Sequence, residues 1–165
     1  MKLFQIVSIM VSIVSLLSFT SVTLAAIQFY GADTDLSVDG NAKIKLTITF
    51  LDPVKDFQLA IFGTVKNFEA ASNSGPVKCG LQVGAATIIG CKTNLTQEKR
   101  TLELKFETAD FVRAVDTKNL FSLDLSLSQP IEQSFATVKL PEGYALTNTS
   151  LIPAVSPTAT SIVSD

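Results

Sequence analysis

The sequence contains no histidine and no tryptophan, and only two of its 165 residues are cysteine. Without histidine, the chain lacks the commonest general base and the commonest nitrogen ligand of zinc. Serine and cysteine nucleophiles of the kind that histidine activates are therefore excluded. The phosphate-binding patterns G-x-x-x-x-G-K-[ST] and G-x-G-x-x-G are also missing. These absences predict a protein that is not an enzyme, with no catalytic residues, no metal ligands and no cofactor.

Charge of one sign is not concentrated anywhere in the chain. There are 13 basic and 15 acidic residues, and neither sign forms a run. Because a nucleic-acid surface needs clustered basic side chains to neutralise phosphates, no nucleic-acid partner is predicted. The length suits one domain with a sizeable core and is short for two.

The first residues of the chain have the pattern of an export signal. A short positive start, Met1-Lys2, is followed by a long uncharged and largely apolar stretch that ends in small residues. This pattern predicts a signal peptide of residues 1–25, cleaved after Ala25 or one residue later after Ala26. An uncleaved anchor helix is the alternative, because an uncharged stretch of this length can span a bilayer. In both cases the rest of the chain is predicted to be extracytoplasmic, either secreted or held at the cell surface.

The two cysteines fit an oxidising compartment. Cys79 and Cys91 flank a glycine-rich segment, and strands at 77–83 and 87–91 turning near residues 84–86 would place them opposite each other. Directly opposed strand residues have the Cβ spacing that a disulfide requires. A structural disulfide is predicted, with two free buried thiols as the alternative.

Two sequons for N-glycosylation are present, at Asn94 and Asn148. Such a triplet has meaning only in an exported chain. Both asparagines are predicted glycosylation sites if the host has the enzymes for this modification.

The mature chain is predicted to be all-β. Residues 42–50 alternate strictly between apolar and polar side chains, which is typical of a half-buried antiparallel strand. Further strands are predicted at 27–30, 57–61, 77–83, 87–91, 102–106, 121–127 and 135–140, separated by turn residues. Seven to eight short strands predict an immunoglobulin-like antiparallel β-sandwich over residues 26–146. One short helical turn is predicted after Thr108 or Asp110, with Phe111 and Val115 on one side.

The end of the sequence is rich in threonine, serine and proline from residue 147 to residue 165. This composition predicts an extended stem or tail. Because a stem normally joins a domain to something else, the chain is expected to be a fragment of a longer product that continues into an anchor or a second domain. A disordered tail on a secreted domain is the alternative. Membrane contact is predicted only through the signal segment or such a missing anchor.

Four short segments resemble the extracytoplasmic part of a group of archaeal surface proteins. They are Val38-Asp39-Gly40 before the strand at 42–50, F-E-T-A-D-F-V at 106–112, L-P-E-G-Y-A-L at 140–146, and the tail at 156–165. Proteins of this group have a signal peptide and a β-sandwich, and often continue into a transmembrane helix and a cytoplasmic winged-helix domain. The resemblance implies that architecture and no particular site.

Two acidic clusters are candidate sites. Asp33, Asp35 and Asp39 suggest calcium, but the EF-hand pattern has Val38 in place of its glycine and Ile44 in place of its last glutamate.

Glu103, Glu107 and Asp110 suggest the carboxylate pair of a glycosidase. The even spacing of the two glutamates instead predicts solvated charges on the polar face of a strand.

Three functions remain from these patterns. The first is an extracytoplasmic interaction or sensor domain with an unidentified protein or envelope partner. The second is a structural spacer of the envelope. The third, and most distant, is a secreted hydrolase that uses carboxylates.

Overall fold

The computed structural model describes residues 26–144 and 160–163, and this part of the chain is all-β. Thirteen strands are present there. They are β1 (Ile27–Leu36), β2 (Ala42–Phe50), β3 (Asp56–Ile61), β4 (Lys66–Ser72), β5 (Gly75–Pro76), β6 (Lys78–Val83), β7 (Thr87–Lys92), β8 (Thr101–Thr108), β9 (Val112–Val115), β10 (Lys118–Phe121), β11 (Leu125–Ser126), β12 (Ile131–Lys139) and β13 (Thr160–Val163). The predicted all-β class is confirmed, with more and shorter strands than the seven or eight expected.

The strands form three sheets. The larger sheet has seven strands in the order β13-β12-β1-β2-β8-β4-β5, and the smaller one has four in the order β11-β3-β7-β6. The hairpin of β9 and β10 forms a third sheet of two strands. Most pairings are antiparallel, but β12 runs parallel to both β1 and β13. The expectation of an entirely antiparallel arrangement is therefore wrong for this side of the larger sheet.

One hydrophobic core joins the larger and the smaller sheet. It contains the alternate side chains of β2, from Ala42 to Phe50, that were expected to point inward, together with buried residues of β1, β3, β7 and β8. The Phe50 ring packs edge to face on Phe57 of β3, with ring centroids 5.6 Å apart. Because β2 lies in the larger sheet and β3 in the smaller, this aromatic pair links the two.

The predicted helical turn is wrong. Phe111 is buried in the core, but the chain then forms the β9–β10 hairpin, in which Val112 pairs with Phe121. Asp116 takes a positive φ of 54° at the tip, a conformation that Asp tolerates better than most residues. Since Val115 is exposed while Phe111 is buried, the two do not share the single apolar face that a helix would need.

The predicted strand at 121–127 is interrupted. The Ser122 amide donates to the Phe111 carbonyl at 2.9 Å, and the Asp124 carbonyl accepts from the Phe62 amide at 3.1 Å. These bonds tie the segment to two loops, so only its last part joins β3 as β11. Part of the predicted stem also differs from expectation, because Thr160–Val163 forms β13 beside β12.

Candidate functional site

The outer face of the larger sheet carries a row of alternating charges that crosses five strands. Following the register from β12 to β4, the row reads Lys139, Asp35, Lys43, Glu107 and Lys66. The ammonium and carboxylate groups of Lys139 and Asp35 lie 3.8 Å apart, as do those of Lys43 and Glu107. All residues of the row except Lys66 line a shallow depression of about 530 Å³. Each charge has an opposite charge beside it, so the charges of the row largely compensate one another.

The two glutamates of β8 do not form a carboxylate pair. Glu103 binds Lys45 at 3.3 Å, and Glu107 binds Lys43. They are four residues apart on one strand, which separates their Cα atoms by roughly 13 Å. The carboxyl groups of a glycosidase pair are about 5–9.5 Å apart. Both glutamates therefore act as partners of surface lysines, as the even spacing predicted.

The third candidate carboxylate, Asp110, holds a loop. Its Oδ2 accepts a hydrogen bond from the backbone amide of Thr64, in the loop between β3 and β4. The preceding residue, Gly63, approaches so closely that an added Cβ would lie 3.0 Å from the Asp110 Cβ. The Gly63 carbonyl accepts from the Thr87 hydroxyl at 2.8 Å. These contacts connect β7 and the end of β8 through one loop.

The amide of Thr64 lowers the pKa of Asp110, with smaller contributions from the Thr64 side chain and from the charge of Lys66. A general acid needs a raised pKa, so this group is tuned in the opposite direction. The role of Asp110 is to fix the loop.

Replacing this group gives a pH-dependent prediction. Asp110→Asn should destabilise the fold at pH 7 by up to about 1 kcal/mol, since the hydrogen bond is charge-assisted but close to solvent. The folded pKa lies below the ordinary value of 3.8, so the stabilisation is fully present above that value and is lost as pH falls through the folded pKa. Urea unfolding at several pH values should show the difference from wild type shrinking below pH 4.

The control for this prediction is Glu98→Gln, which neutralises an exposed carboxylate in the turn after Thr96. It should change stability little at any pH. If the loss of unfolding free energy in Asp110→Asn were the same at neutral and acid pH, the carboxylate charge would not be the cause of that loss.

The acidic residues near the start of the domain do not assemble a calcium site. Asp33 and Asp35 point outward from β1, where they lie opposite lysines of β2. Asp39 lies in the following turn and accepts hydrogen bonds from the Ser37 hydroxyl and the Asn41 amide. These bonds lower the pKa of Asp39, the Ser37 hydroxyl most. Among residues 26–144 and 160–163, no group of three or more His, Cys, Asp or Glu side chains could hold a metal ion.

The predicted disulfide is present between Cys79 of β6 and Cys91 of β7. The two residues are directly opposed in the hairpin, and their Cα atoms are 4.0 Å apart. The turn at residues 84–86 is where the glycine-rich segment predicted it. The bridge fixes the outer strand of the smaller sheet to its neighbour.

One of the two predicted glycosylation sites lies in the described part of the chain. Asn94 is exposed in the loop between β7 and β8, and its side-chain oxygen accepts from the Ser72 hydroxyl at 2.6 Å. The second predicted site, Asn148, and the predicted cleavage residue Ala25 lie outside the described residues. Ala26 is described, and its carbonyl accepts from the Leu51 amide at 3.0 Å. No helix in the part of the chain that the structure describes is long and apolar enough to span a membrane.

Several strands of both sheets finish at the same end of the molecule. The last residue of β1, Leu36, is opposite Ala42, and Ala42 is opposite Thr108 at the end of β8. Strand β12 runs parallel to β1 and finishes beside it. The loop that carries Gly63 connects β3 to β4 at this level, where Lys66 is opposite Glu107.

Exposed large apolar side chains collect in the loops at this end, which we call the apolar end. Its members are Val38 in the β1–β2 turn, Phe62 after β3, Val115 and Leu120 on the β9–β10 hairpin, and Tyr144 after β12. Within residues 26–144, the only other exposed large apolar residues are two on β6, and the opposite end of the molecule has none. Exposed apolar side chains that collect in one region are a feature of interaction sites.

Sequence reasoning did not find the apolar end. Its five residues lie in four separate segments of the chain, and each one alone is an ordinary surface residue. The hydrophobic residue beside a turn aspartate, as in Val38-Asp39 and Val115-Asp116, is the only local signal.

No protein-family model matches the sequence, and no curated protein matches it either. Three solved structures are similar in part. An M1 zinc metallopeptidase from Deinococcus radiodurans has 17% identity and a TM-score of 0.39 over 56% of this chain and 22% of that one. Leukotriene A4 hydrolase from Saccharomyces cerevisiae has 12% identity and a TM-score of 0.48 over 70% of this chain and 24% of that one. An aminopeptidase N family protein from Idiomarina loihiensis has 13% identity and a TM-score of 0.42 over 65% of this chain and 22% of that one. The chain thus spans less than a quarter of the length of each, and similarities of this size assign it neither fold family nor function.

Proposed function

We propose that the chain is a non-catalytic, extracytoplasmic interaction domain that binds an envelope or protein partner through the apolar end. The observation that carries the proposal is the distribution of exposed apolar side chains. They collect in the loops at one end, whereas the broad outer face of the larger sheet carries paired charges. A surface that needed only solubility would not concentrate them in this way.

The finer fold belongs to the same proposal. One core shared by the larger and the smaller sheet supports an immunoglobulin-like β-sandwich as the scaffold. Loops that cluster at the end of such a scaffold are a common place for binding residues. The resemblance to archaeal surface proteins, which rests on the sequence, agrees with this architecture.

Export is supported by the disulfide, because such bonds persist in oxidising compartments. The hydrogen bond from the Leu51 amide to the Ala26 carbonyl favours cleavage after Ala25. Cleavage after Ala26 would remove this carbonyl, and the Leu51 amide would lose its acceptor. Mass spectrometry of the exported chain should therefore find Ala26 at its start, with added glycan mass at Asn94 in a glycosylating host.

The non-catalytic role is supported by the state of the carboxylates. Glu103 and Glu107 are each paired with a lysine, and Asp110 is held by the Thr64 amide with a lowered pKa. A hydrolase would need two carboxyl groups facing one cleft with pKa values pushed apart.

A structural spacer is the second candidate. The first described residues and the end of β12 lie at opposite ends of the molecule, since Ile27 is paired with Phe50 and Asp35 with Lys139. A chain that enters at one end and leaves at the other suits a module in a stalk.

Binding to envelope material separates these functions. The exported full chain, labelled with a fluorophore, should bind saturably to envelope fractions of its source cells. The double variant Val115→Ser/Leu120→Ser should weaken this binding roughly tenfold or more, because exposed apolar anchors carry much of the energy of an interface. The matched control Lys45→Gln/Lys105→Gln changes two exposed side chains of the charged face and should bind as wild type does.

Each other outcome favours a different function. Absence of saturable binding by the wild type would favour the spacer. If both double variants lost binding affinity equally, the binding site would lie away from the apolar end. Release of product from glycan or peptide substrates, abolished by Glu103→Gln or Glu107→Gln, would favour the hydrolase.

A further inference from the structure

Strand β6 has an unpaired edge. It is the last strand of the smaller sheet, and within the described part of the chain it pairs only with β7, over the six residues Lys78–Val83. The backbone groups on its other side have no strand beside them there. Such an edge is a template for another strand.

The face of β6 that should be covered by the core is open. Leu81 is opposite Ile89 and Val83 is opposite Thr87, and directly opposed residues share a face. Ile89 and Thr87 are buried, at 0% and 2% exposure, but Leu81 is 45% and Val83 is 79% exposed. The apolar face of the smaller sheet therefore continues past the edge of the core.

The edge also lacks the features that normally prevent pairing. Lys78, at its start, is its only charged residue, and its register with β7 has no bulge. By contrast, β4 has only the two-residue strand β5 on its outer side, and it carries Lys66 and Glu69, an irregular register and the positive φ of Asn67. Natural proteins protect exposed edges with such charges and bulges. The Cys79–Cys91 bridge keeps β6 in its place on β7, so its edge is preorganised.

We infer that β6 pairs with β6 of a second copy of this chain in an antiparallel two-fold contact centred on Leu81. In this register Leu81 meets its own counterpart, and Val83 meets Cys79 of the other copy. Apolar core-facing residues stay together, and Gly80 meets Gln82 on the outer face. Lys78 meets Gly84, so no like charges face each other.

A second copy fits this edge better than an unrelated strand. The edge has no charge pattern that would select a particular foreign sequence. A two-fold contact uses the β6 edges of both copies at once and closes, so no β6 edge is left unpaired. The smaller sheets of the two copies would join into one sheet of eight strands. Val83 is opposite Thr87, which is opposite Ile61, so the end of β6 lies level with the loop that carries Phe62. The contact nevertheless uses none of the five residues of the apolar end, so it goes beyond the proposed binding function and is tested by different variants.

The test is the mass of the exported full chain in solution. Sedimentation equilibrium over a concentration series should show a reversible monomer–dimer equilibrium. Leu81→Lys should weaken the dimer roughly tenfold or more, because it places two ammonium groups against each other on the axis. The control Ala71→Lys adds the same charge to an exposed position of β4 and should leave the dimer unchanged.

A cross-link tests the register. Leu81→Cys should form an intermolecular disulfide through position 81 under mild oxidation, since opposed strand residues on the axis have suitable spacing. Peptide mapping must show Cys79 still joined to Cys91, and circular dichroism must show the native fold in each variant. A wild-type chain that stays monomeric throughout the series, or a dimer that Leu81→Lys leaves intact, would overturn the inference. So would a β6 edge that binds an extended foreign peptide while the chain remains a monomer.

Discussion

Phe50→Ala should reduce the free energy of unfolding by about 3–5 kcal/mol, the range for removal of a buried aromatic ring. Phe50 is fully buried at the end of β2, and its ring packs edge to face on Phe57 of the smaller sheet. The variant loses both the buried area and the contact that links the two sheets, and the rigid strands around it cannot close the cavity. Urea unfolding followed by circular dichroism measures the change directly.

Two matched variants show whether the contact between the sheets is the cause. Phe50→Leu retains most of the buried volume and should cost clearly less than the alanine variant. Phe62→Ala removes the same ring at a position that is 55% exposed, and should change stability by only about 0.5 kcal/mol. If the two alanine variants were equally destabilised, Phe50 would not be a core residue of the folded protein in solution.

The sequence predicts best those elements whose evidence is local. Strand β2 has the predicted bounds, because strict alternation over nine residues permits only one orientation toward the core. The β6–β7 hairpin was also predicted, since two cysteines and a glycine-rich turn specify each other's positions. Both elements are determined by residues within about a dozen positions of one another.

The helical turn after Thr108 or Asp110 was mispredicted from a capping residue and the spacing of two apolar residues. Phe111 and Val115 have the helical separation, but β10 offers a strand partner a few residues later, and residues 112–115 pair with it as β9. Short apolar patterns of this kind do not distinguish helix from strand. The tertiary contact of Phe111 with the core, which decides the matter, is not visible in the local sequence.

Contacts between distant strands lay beyond sequence reasoning. Nothing in residues 131–139 shows that β12 pairs with β1, or that the pairing is parallel. The charged row follows from that register, because Asp35 is placed between Lys139 and Lys43 only when three strands are aligned. The apolar end depends on the same long-range topology, which brings loops from Val38 to Tyr144 to one end of the molecule.

The disulfide gives the second large effect. Cys79→Ser/Cys91→Ser should lower the free energy of unfolding by about 3 kcal/mol, because the bridge closes a short loop and restricts the unfolded chain. The cysteines are only 12 positions apart, so the bridge stabilises the fold less than one that closes a longer loop. Urea unfolding of the double variant, with the reduced wild type as a control for the serine side chains, measures it.

The same variant tests how β6 is held. Strand β6 has a neighbour on one side only and leaves Leu81 and Val83 uncovered, so backbone pairing and the bridge are its main attachments. Without the bridge, amide hydrogens of β6 should exchange at a lower opening free energy than those of β2 in the centre of the larger sheet. Uniform loss of protection in both strands would mean that the domain unfolds only as one unit. If the double variant lost well below about 1 kcal/mol of unfolding free energy, the hairpin would already persist in the unfolded chain. A cross-link adds little to a loop that is closed without it.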